Sequence, residues 1–480
     1  MFKISEELAM QEGERISKEL PKPDSEQMYN SFGVIDNNKC LLEGGEDLAT
    51  GEQVSKELLK QEVEWMYNSI GVTDNKRPLE DREDSAARKT AKPLEINGKE
   101  ETVKGLHDLS LVQTEQPVDQ NHGDHHSESN LLIYQLGRDM SINCLAHCSR
   151  SDYGAIAALN KAFRSVVRSG ELYRLRRLMG IAEHWVYFSC NLLEWEAFDP
   201  IRHKWMHLPR MTSNECFMCS DKESLAVGTE LLVFGKEIIS HVIYRYSILT
   251  NTWSSGMSMN QGRCLFGSAS LGEIAILAGG CDSCGNILSS AELYDSLTGT
   301  WVTIPSMRKA RKMCSAVFMD GKFYVVGGIG TETPNMLTCG EFYDLKTRSW
   351  TVIPNMCPPR NRQAAITTSA GSGAPPLIAV VKNELYAADY AQQELKKYDK
   401  RTNVWTTIGR LPERADSMNG WGLAFKACGD MLIVIGGPRN FGGGMIELNV
   451  WVPGEGPPVW NLLAAKPSAS FVYNCAVMGC

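Results

Sequence analysis

The stretch IAILAGGCDSCGNILSSAELYDSLTGTW (residues 274–301) has a near copy 49 residues on, FYVVGGIGTETPNMLTCGEFYDLKTRSW (residues 323–350). Each opens on a β-prone apolar run that stops at a glycine pair. Each then passes through a polar loop to a Tyr–Asp, a short turn and a tryptophan. Val, Ile, Tyr and Phe in short runs bounded by Gly, Asp, Ser and Thr read as strands joined by tight turns. The two segments are therefore the same structural unit, met twice.

Working outward, the unit recurs. Trp205, Trp253, Trp301, Trp350, Trp405 and Trp460 stand at intervals of 48, 48, 49, 55 and 55. An aromatic lies seven residues before the first five: Phe198, Tyr246, Tyr294, Tyr343 and Tyr398. In the sixth unit Trp451 takes that place. Threonines keep step at Thr250, Thr298, Thr347 and Thr402. The apolar run ends in glycine again at Gly235 and Gly437, whereas Leu385–Asp389 has lost the pair. A period near 50 with aromatic punctuation predicts a β-propeller of six blades over 183–480. The glycine-ended runs are assigned to the innermost strands, where backbones crowd. The first unit lacks such a strand, and FVYNCAVMG (residues 471–479) is left over at the end. The expectation is that this last strand completes the first blade and closes the ring, removing exposed edges.

The double glycine, Tyr–Asp and tryptophan in this order resemble the kelch repeat. Upstream, composition changes at Leu131. Over 131–177, Leu136, Ile142, Leu145, Ile156, Leu159, Phe163 and Val166 fall at helical spacing. Ser149 or Ser151 can cap a helix from Asp152, and Gly170 can end one after Arg168. So small a helical unit buries little surface, and its apolar stripe implies a partner. Leu145, Ser149, Asp152, Leu159, Phe163, Arg164 and Leu172–Tyr173 resemble the F-box pattern, although Gly137–Arg138–Asp139 stands where that pattern usually has Pro and an acid. An F-box followed by a kelch propeller is similar to the plant F-box/kelch-repeat proteins. The resemblance implies a substrate receptor of a Skp–cullin–F-box ubiquitin ligase. Leu136, Ile142, Leu145, Leu159 and Phe163 would then form the face that docks on the Skp-type adaptor, or the core beneath it. The propeller would hold the client protein, and no chemistry would occur on this chain. A kelch scaffold that recruits no ligase is the alternative.

Residues 1–130 lie outside the resemblance. They hold 28 Asp and Glu against 15 Lys and Arg, a net of −13. Residues 13–37 and 51–75 share 16 of 25 positions at an offset of 38. Two copies with so little apolar content bury no core. The head reads as a disordered acidic region, its duplication serving either as spacer or as a doubled docking motif around Met28–Val34 and Met66–Val72. The remaining 350 residues carry a net of +5, too dilute for a nucleic-acid surface. No apolar run approaches the roughly 18–20 residues of a membrane span. The acidic amino terminus does not read as a secretory signal. Fifteen cysteines without framework spacing read as reduced thiols, which places the chain in the nucleus or cytoplasm.

No cofactor or metal is expected. All nine histidines lie at or before His241, so later blades supply none to an axial metal. Cys216-x-x-Cys219 and Cys281-x-x-Cys284 are too far apart in sequence to make one obvious zinc site. Arg263, Arg311 and Arg360 each follow a repeat tryptophan by ten residues, and Arg414 follows Trp405 by nine. Two readings stand: a ring of guanidiniums receiving an acidic or phosphorylated client, or structural positions bonded to neighbouring loops. Pro358, Pro359 and Arg362 beside Arg360 open the longest stretch between repeats, which favours Arg360 for binding.

Overall fold

The computed structural model describes residues 132–133, 136–191, 193–238, 240–331, 336–359, 373–414, 420–438 and 444–480. The acidic head with its duplication, the Met28–Val34 and Met66–Val72 motifs, and Arg360 and Arg362 lie outside these residues. Among the described residues no helix is long and apolar enough to cross a membrane.

Among the described residues the helices come first: α1 (Arg138–His147), α2 (Tyr153–Leu159), α3 (Lys161–Arg168) and α4 (Glu171–Leu178). The Asn160 side chain accepts from the Phe163 N–H (3.0 Å) and so starts α3. Ser149 accepts from the Ser151 N–H, shaping a single 3₁₀ turn before α2. Gly170 has φ 78, a left-handed bend that reverses the chain into α4.

Six four-stranded antiparallel sheets follow, forming the blades of a β-propeller. Blade 2 holds β4 (Phe217–Val227), β5 (Glu230–Glu237), β6 (Ser240–Ser247) and β7 (Thr252–Ser255). Blade 3 holds β8 (Gly267–Leu271), β9 (Ile274–Ala278), β10 (Ala291–Asp295) and β11 (Thr300–Ile304). Blade 4 holds β12 (Ser315–Met319), β13 (Lys322–Val326), β14 (Gly340–Asp344) and β15 (Ser349–Ile353). Blade 5 holds β16 (Leu377–Val381), β17 (Glu384–Asp389), β18 (Glu394–Asp399) and β19 (Val404–Arg410), and blade 6 holds β20 (Ala424–Cys428), β21 (Met431–Gly436), β22 (Met445–Trp451) and β23 (Asn461–Pro467). Blade 1 is composite: β1 (His184–Asn191), β2 (Glu194–Asp199) and β3 (Lys204–His207) take β24 (Asn474–Gly479) as their inner strand, with Val186 opposite Val477. The carboxy-terminal strand closes the ring, as its leftover position in the sequence implied.

The seven-residue spacing has a simple cause. Each aromatic lies directly across a hairpin from its tryptophan: Phe198 from Trp205, Tyr246 from Trp253, Tyr294 from Trp301, Tyr343 from Trp350 and Tyr398 from Trp405. Such cross-strand aromatic pairs stabilise a sheet. Five of the repeat indoles also reach the preceding blade. Nε1–H donates to a carbonyl at Pro209 from Trp253, Met257 from Trp301, Pro305 from Trp350, Met356 from Trp405 and Arg410 from Trp460, over 2.6–3.1 Å. In blades 2 to 5 one side chain thus serves both its own sheet and the joint to its neighbour.

The glycine pairs are not on the innermost strands. They end β9 and β13, the second strand of each blade, while β8 and β12 face the axis. The close-approach reason survives the change of place. Gly279 and Gly280 have φ 73 and 91, and Cβ atoms there would stand 2.3 Å from the Arg311 carbonyl and 2.5 Å from the Cys264 carbonyl. The pair lets the chain entering the next blade pass against this one.

Candidate functional site

The helices do not hang from the propeller as a separate bead. Leu132, Ile142, Leu145, Tyr153, Val166, Val167, Leu172 and Tyr173 pack in one core with Trp185, Tyr187, Trp195, Trp253, Met478 and Cys480 of blades 1 and 2. Two buried arginines bind the joint. Arg150 lies over the Trp185 ring (4.4 Å to its centroid) and bonds the Tyr187 hydroxyl. Arg176 donates to the carbonyls of Ala146 (2.8 Å), Ile181 (3.1 Å) and Cys480 (3.3 Å) and pairs with Glu183 (3.2 Å). Neither arginine falls on a repeat or a helical stripe, so sequence periodicity could not single them out.

The five residues expected to meet an adaptor divide. Ile142 and Leu145 are buried in that shared core, Leu136 and Phe163 are half-buried, and Leu159 at the end of α2 is 70% exposed. Ile142 and Leu145 therefore build the module, and Leu159 is what it presents.

The arginine ring is corrected by the structure for its described members. Arg311 is 0% exposed. Its Nη1 donates to the Gly327 (2.9 Å) and Cys339 (3.1 Å) carbonyls and its Nη2 to Glu341 (2.6 Å). Arg263 repeats this on Gly279 (3.0 Å), Ser290 (2.8 Å) and Glu292 (2.7 Å). Arg414 pairs with Glu447 (3.0 Å) and bonds Asn449. Glu292 in turn accepts the Asn260 and Gln261 N–H groups, and Glu341 those of Arg308 and Lys309. These guanidiniums lock one blade's loops to its own third strand and offer nothing to a client. Burial lowers Arg263 and Arg414 from the ordinary arginine range, opposed by the facing glutamates. Blade 5 breaks the pattern. Lys396 stands two residues before Tyr398, where Glu292 and Glu341 stand before theirs, and pairs with Asp389 (2.7 Å). The glutamate that pairs with Arg263 and Arg311 thus has no counterpart at that position of blade 5.

Antiparallel strands put the first and third hairpins of every blade at one end and the remaining connections at the other. The helices occupy the first end. Arg177 bonds the Gly228 carbonyl in the β4–β5 turn and Glu273 in the β8–β9 turn, and Gly170 abuts Leu249 after β6. The opposite end carries the glycine pairs, Asn260–Cys264 and Cys281–Leu288. Between the ends, inner strands of all six blades line a cavity of about 90 Å³ that includes Glu223, Ser268, Ser315, Ile378, Lys426 and Asn474. Burial pushes the Glu223 carboxyl up to about 8, against the lowering effect of the Leu265 and Phe266 N–H groups and Ser220.

Together these features define a kelch-type β-propeller carrying a small helical module fused to one end. The Kelch motif model matches residues 262–308 and 310–356, which are blades 3 and 4 with their entering loops. The chain is 61% identical over 409 residues to the F-box/kelch-repeat protein At1g74510 of Arabidopsis thaliana, covering 83% of this chain and 90% of that one. It is 62% identical over 388 residues to the F-box/kelch-repeat protein SKIP11 of the same plant, covering 80% and 83%. The chain belongs to the F-box/kelch-repeat family.

Proposed function

We propose that this protein is the substrate-recognition subunit of a Skp–cullin–F-box ubiquitin ligase, acting in the nucleus or cytoplasm. The observation that carries the reading is the split between an apolar helical tip and a propeller end turned away from it. Leu159, with half-buried Leu136 and Phe163 of the same helical module, supplies the apolar anchor for a Skp-type adaptor, and through it a cullin. The far end, with its blade-to-blade loops, is the client surface. The chain itself is a non-catalytic receptor, needing neither cofactor nor metal. Because the helices share a core with blades 1 and 2, client and adaptor are held in a fixed relation, which suits delivery of ubiquitin from a neighbouring subunit.

With Arg263, Arg311 and Arg414 committed to the architecture, the client-binding role proposed for the arginines rests on Arg360, in whose repeat Lys396 replaces the in-step glutamate. A guanidinium with no in-step glutamate would favour an acidic segment. The test is affinity purification of the tagged chain under proteasome inhibition, beside its Arg360→Glu variant. Recovery of the adaptor and cullin with both forms, and of a client with the parent alone, supports the reading. Recovery of a client without any adaptor assigns the chain to ligase-free scaffolds.

A further inference from the structure

Cys264 and Cys281 meet at the propeller end opposite the helices. Each donates its N–H to the other's carbonyl (2.9 and 2.7 Å), forming a two-residue antiparallel bridge, and their sulfurs lie 3.6 Å apart. Residues exchanging both backbone bonds have Cα atoms about 5.5 Å apart, inside the range that a disulfide spans. The backbone pairing and the sulfur separation thus suit a disulfide once an oxidant is supplied.

The repeat itself does not ask for cysteine here. One blade on, the same bridge is made by Lys312 and Ile329, with the same two backbone bonds (3.0 and 2.7 Å). The residue after each first partner is left-handed in both blades, Leu265 at φ 60 and Met313 at φ 58. Gly280 keeps the two segments close, since a Cβ there would strike the Cys264 carbonyl. The backbone is thus the repeat's, and the facing thiols are an addition to it. Cys281-x-x-Cys284 looks in sequence like a pair, yet the sulfur bonded to Cys281 belongs to Cys264, and Cys284 is exposed on the following loop.

We propose that Cys264 and Cys281 are a reversible dithiol–disulfide site, oxidised by a hydroperoxide and reduced by a small thiol. The Cys281 sulfur attacks one peroxide oxygen, forming an S–O bond as the O–O bond breaks and hydroxide leaves. The Cys264 sulfur then attacks Cys281, forming the S–S bond and expelling the second hydroxide. The two thiol protons convert both hydroxides to water, so two sulfurs lose one electron pair and the peroxide gains it. Sharing of a proton between the sulfurs supports this order, because it lowers the Cys281 thiol and raises that of Cys264. The bond would tie the strand entering blade 3 to the loop leaving β9, stapling the rim of the client-facing end. Being a property of these two residues, the couple stands whether or not the chain recruits a ligase.

The experiment titrates the full-length protein with hydrogen peroxide, blocks remaining thiols with N-ethylmaleimide, and cleaves at Glu273 and Asp282 before mass spectrometry. Cleavage at Glu273 separates Cys264 from Cys281, and cleavage at Asp282 separates Cys281 from Cys284. The expected result is a linked Cys264–Cys281 fragment pair that glutathione releases, with a melting temperature a few degrees higher in the oxidised protein. In Cys264→Ser the link is lost and a sulfenic acid is trapped at Cys281 by a dimedone probe. Full maleimide labelling of Cys264 and Cys281, at peroxide levels that already oxidise exposed Cys216 and Cys284, overturns the proposal. A Cys281–Cys284 link in their place overturns it equally.

Discussion

Arg311 and Glu341 form an ion pair sealed from solvent on both sides (0% side-chain exposure each), and breaking it from one side leaves a bare charge. Arg311→Glu should therefore cost about 3–5 kcal/mol, whereas Arg311→Met with Glu341→Leu should recover much of that loss. Thermal melts of the two proteins check this; equal stability of Arg311→Glu and parent would return the arginine to the surface. Glu223 offers a second residue-scale test. Its carboxyl is raised by burial to about 8, so the folded chain holds a proton that the unfolded chain releases near the ordinary carboxylate value. Its contribution to stability therefore falls as pH rises from about 4.3 through 8, by up to about 1.4 kcal/mol per pH unit. Glu223→Gln should flatten that part of the stability–pH curve, and an unchanged slope contradicts the assignment. At this scale the sequence was least legible. Arg263, Arg311 and Arg414 announce themselves by period, but a period cannot tell a guanidinium turned outward from one turned onto Glu292, Glu341 or Glu447. Only the in-step glutamate two residues before Tyr294 and Tyr343 could have marked them as structural.

Elements were far more legible, because each repeat writes its hairpin twice over, once in the turn residues and once in the aromatic that must lie opposite its tryptophan. The glycine pairs were read for the right reason in the wrong strand. Close approach demands glycine wherever chains crowd, and the crowding lies where one blade's second strand meets the entry to the next, not at the axis. The most consequential element is β24, whose pairing with β1 runs from His184 opposite Gly479 to Ser189 opposite Asn474. Truncation after Ser470 removes the inner strand of blade 1 together with Met478 and Cys480 of the shared core. Such a chain should lose cooperative unfolding and gain protease sensitivity in blade 1 and the helices, as limited proteolysis with peptide mapping would read. Trp350→Phe, by contrast, removes a single interblade bond to Pro305 and some packing, and should cost about 1–3 kcal/mol in a denaturant titration.

For the whole molecule, period and leftover strand together foretold a closed six-bladed ring. The fusion of helices and propeller into one core was not legible, since Arg150 and Arg176 lie outside any repeat and Trp185 is not one of the repeat tryptophans. That fusion changes how the adaptor face must be probed. Leu145 is a core residue, so Leu145→Asp should unfold the helical module and with it part of blade 1. Leu159 is exposed and its change to Asp should leave the melting temperature within about 1 °C. The most direct measurement of the receptor account is a calorimetric titration of a purified Skp-type adaptor into the full-length chain and into Leu159→Asp. The account predicts one-to-one binding by the parent and at least about a thirtyfold loss in the variant, with both proteins equally folded, since a central apolar anchor is worth about 2 kcal/mol or more. Equal binding by both, or none by the folded parent, would contradict it.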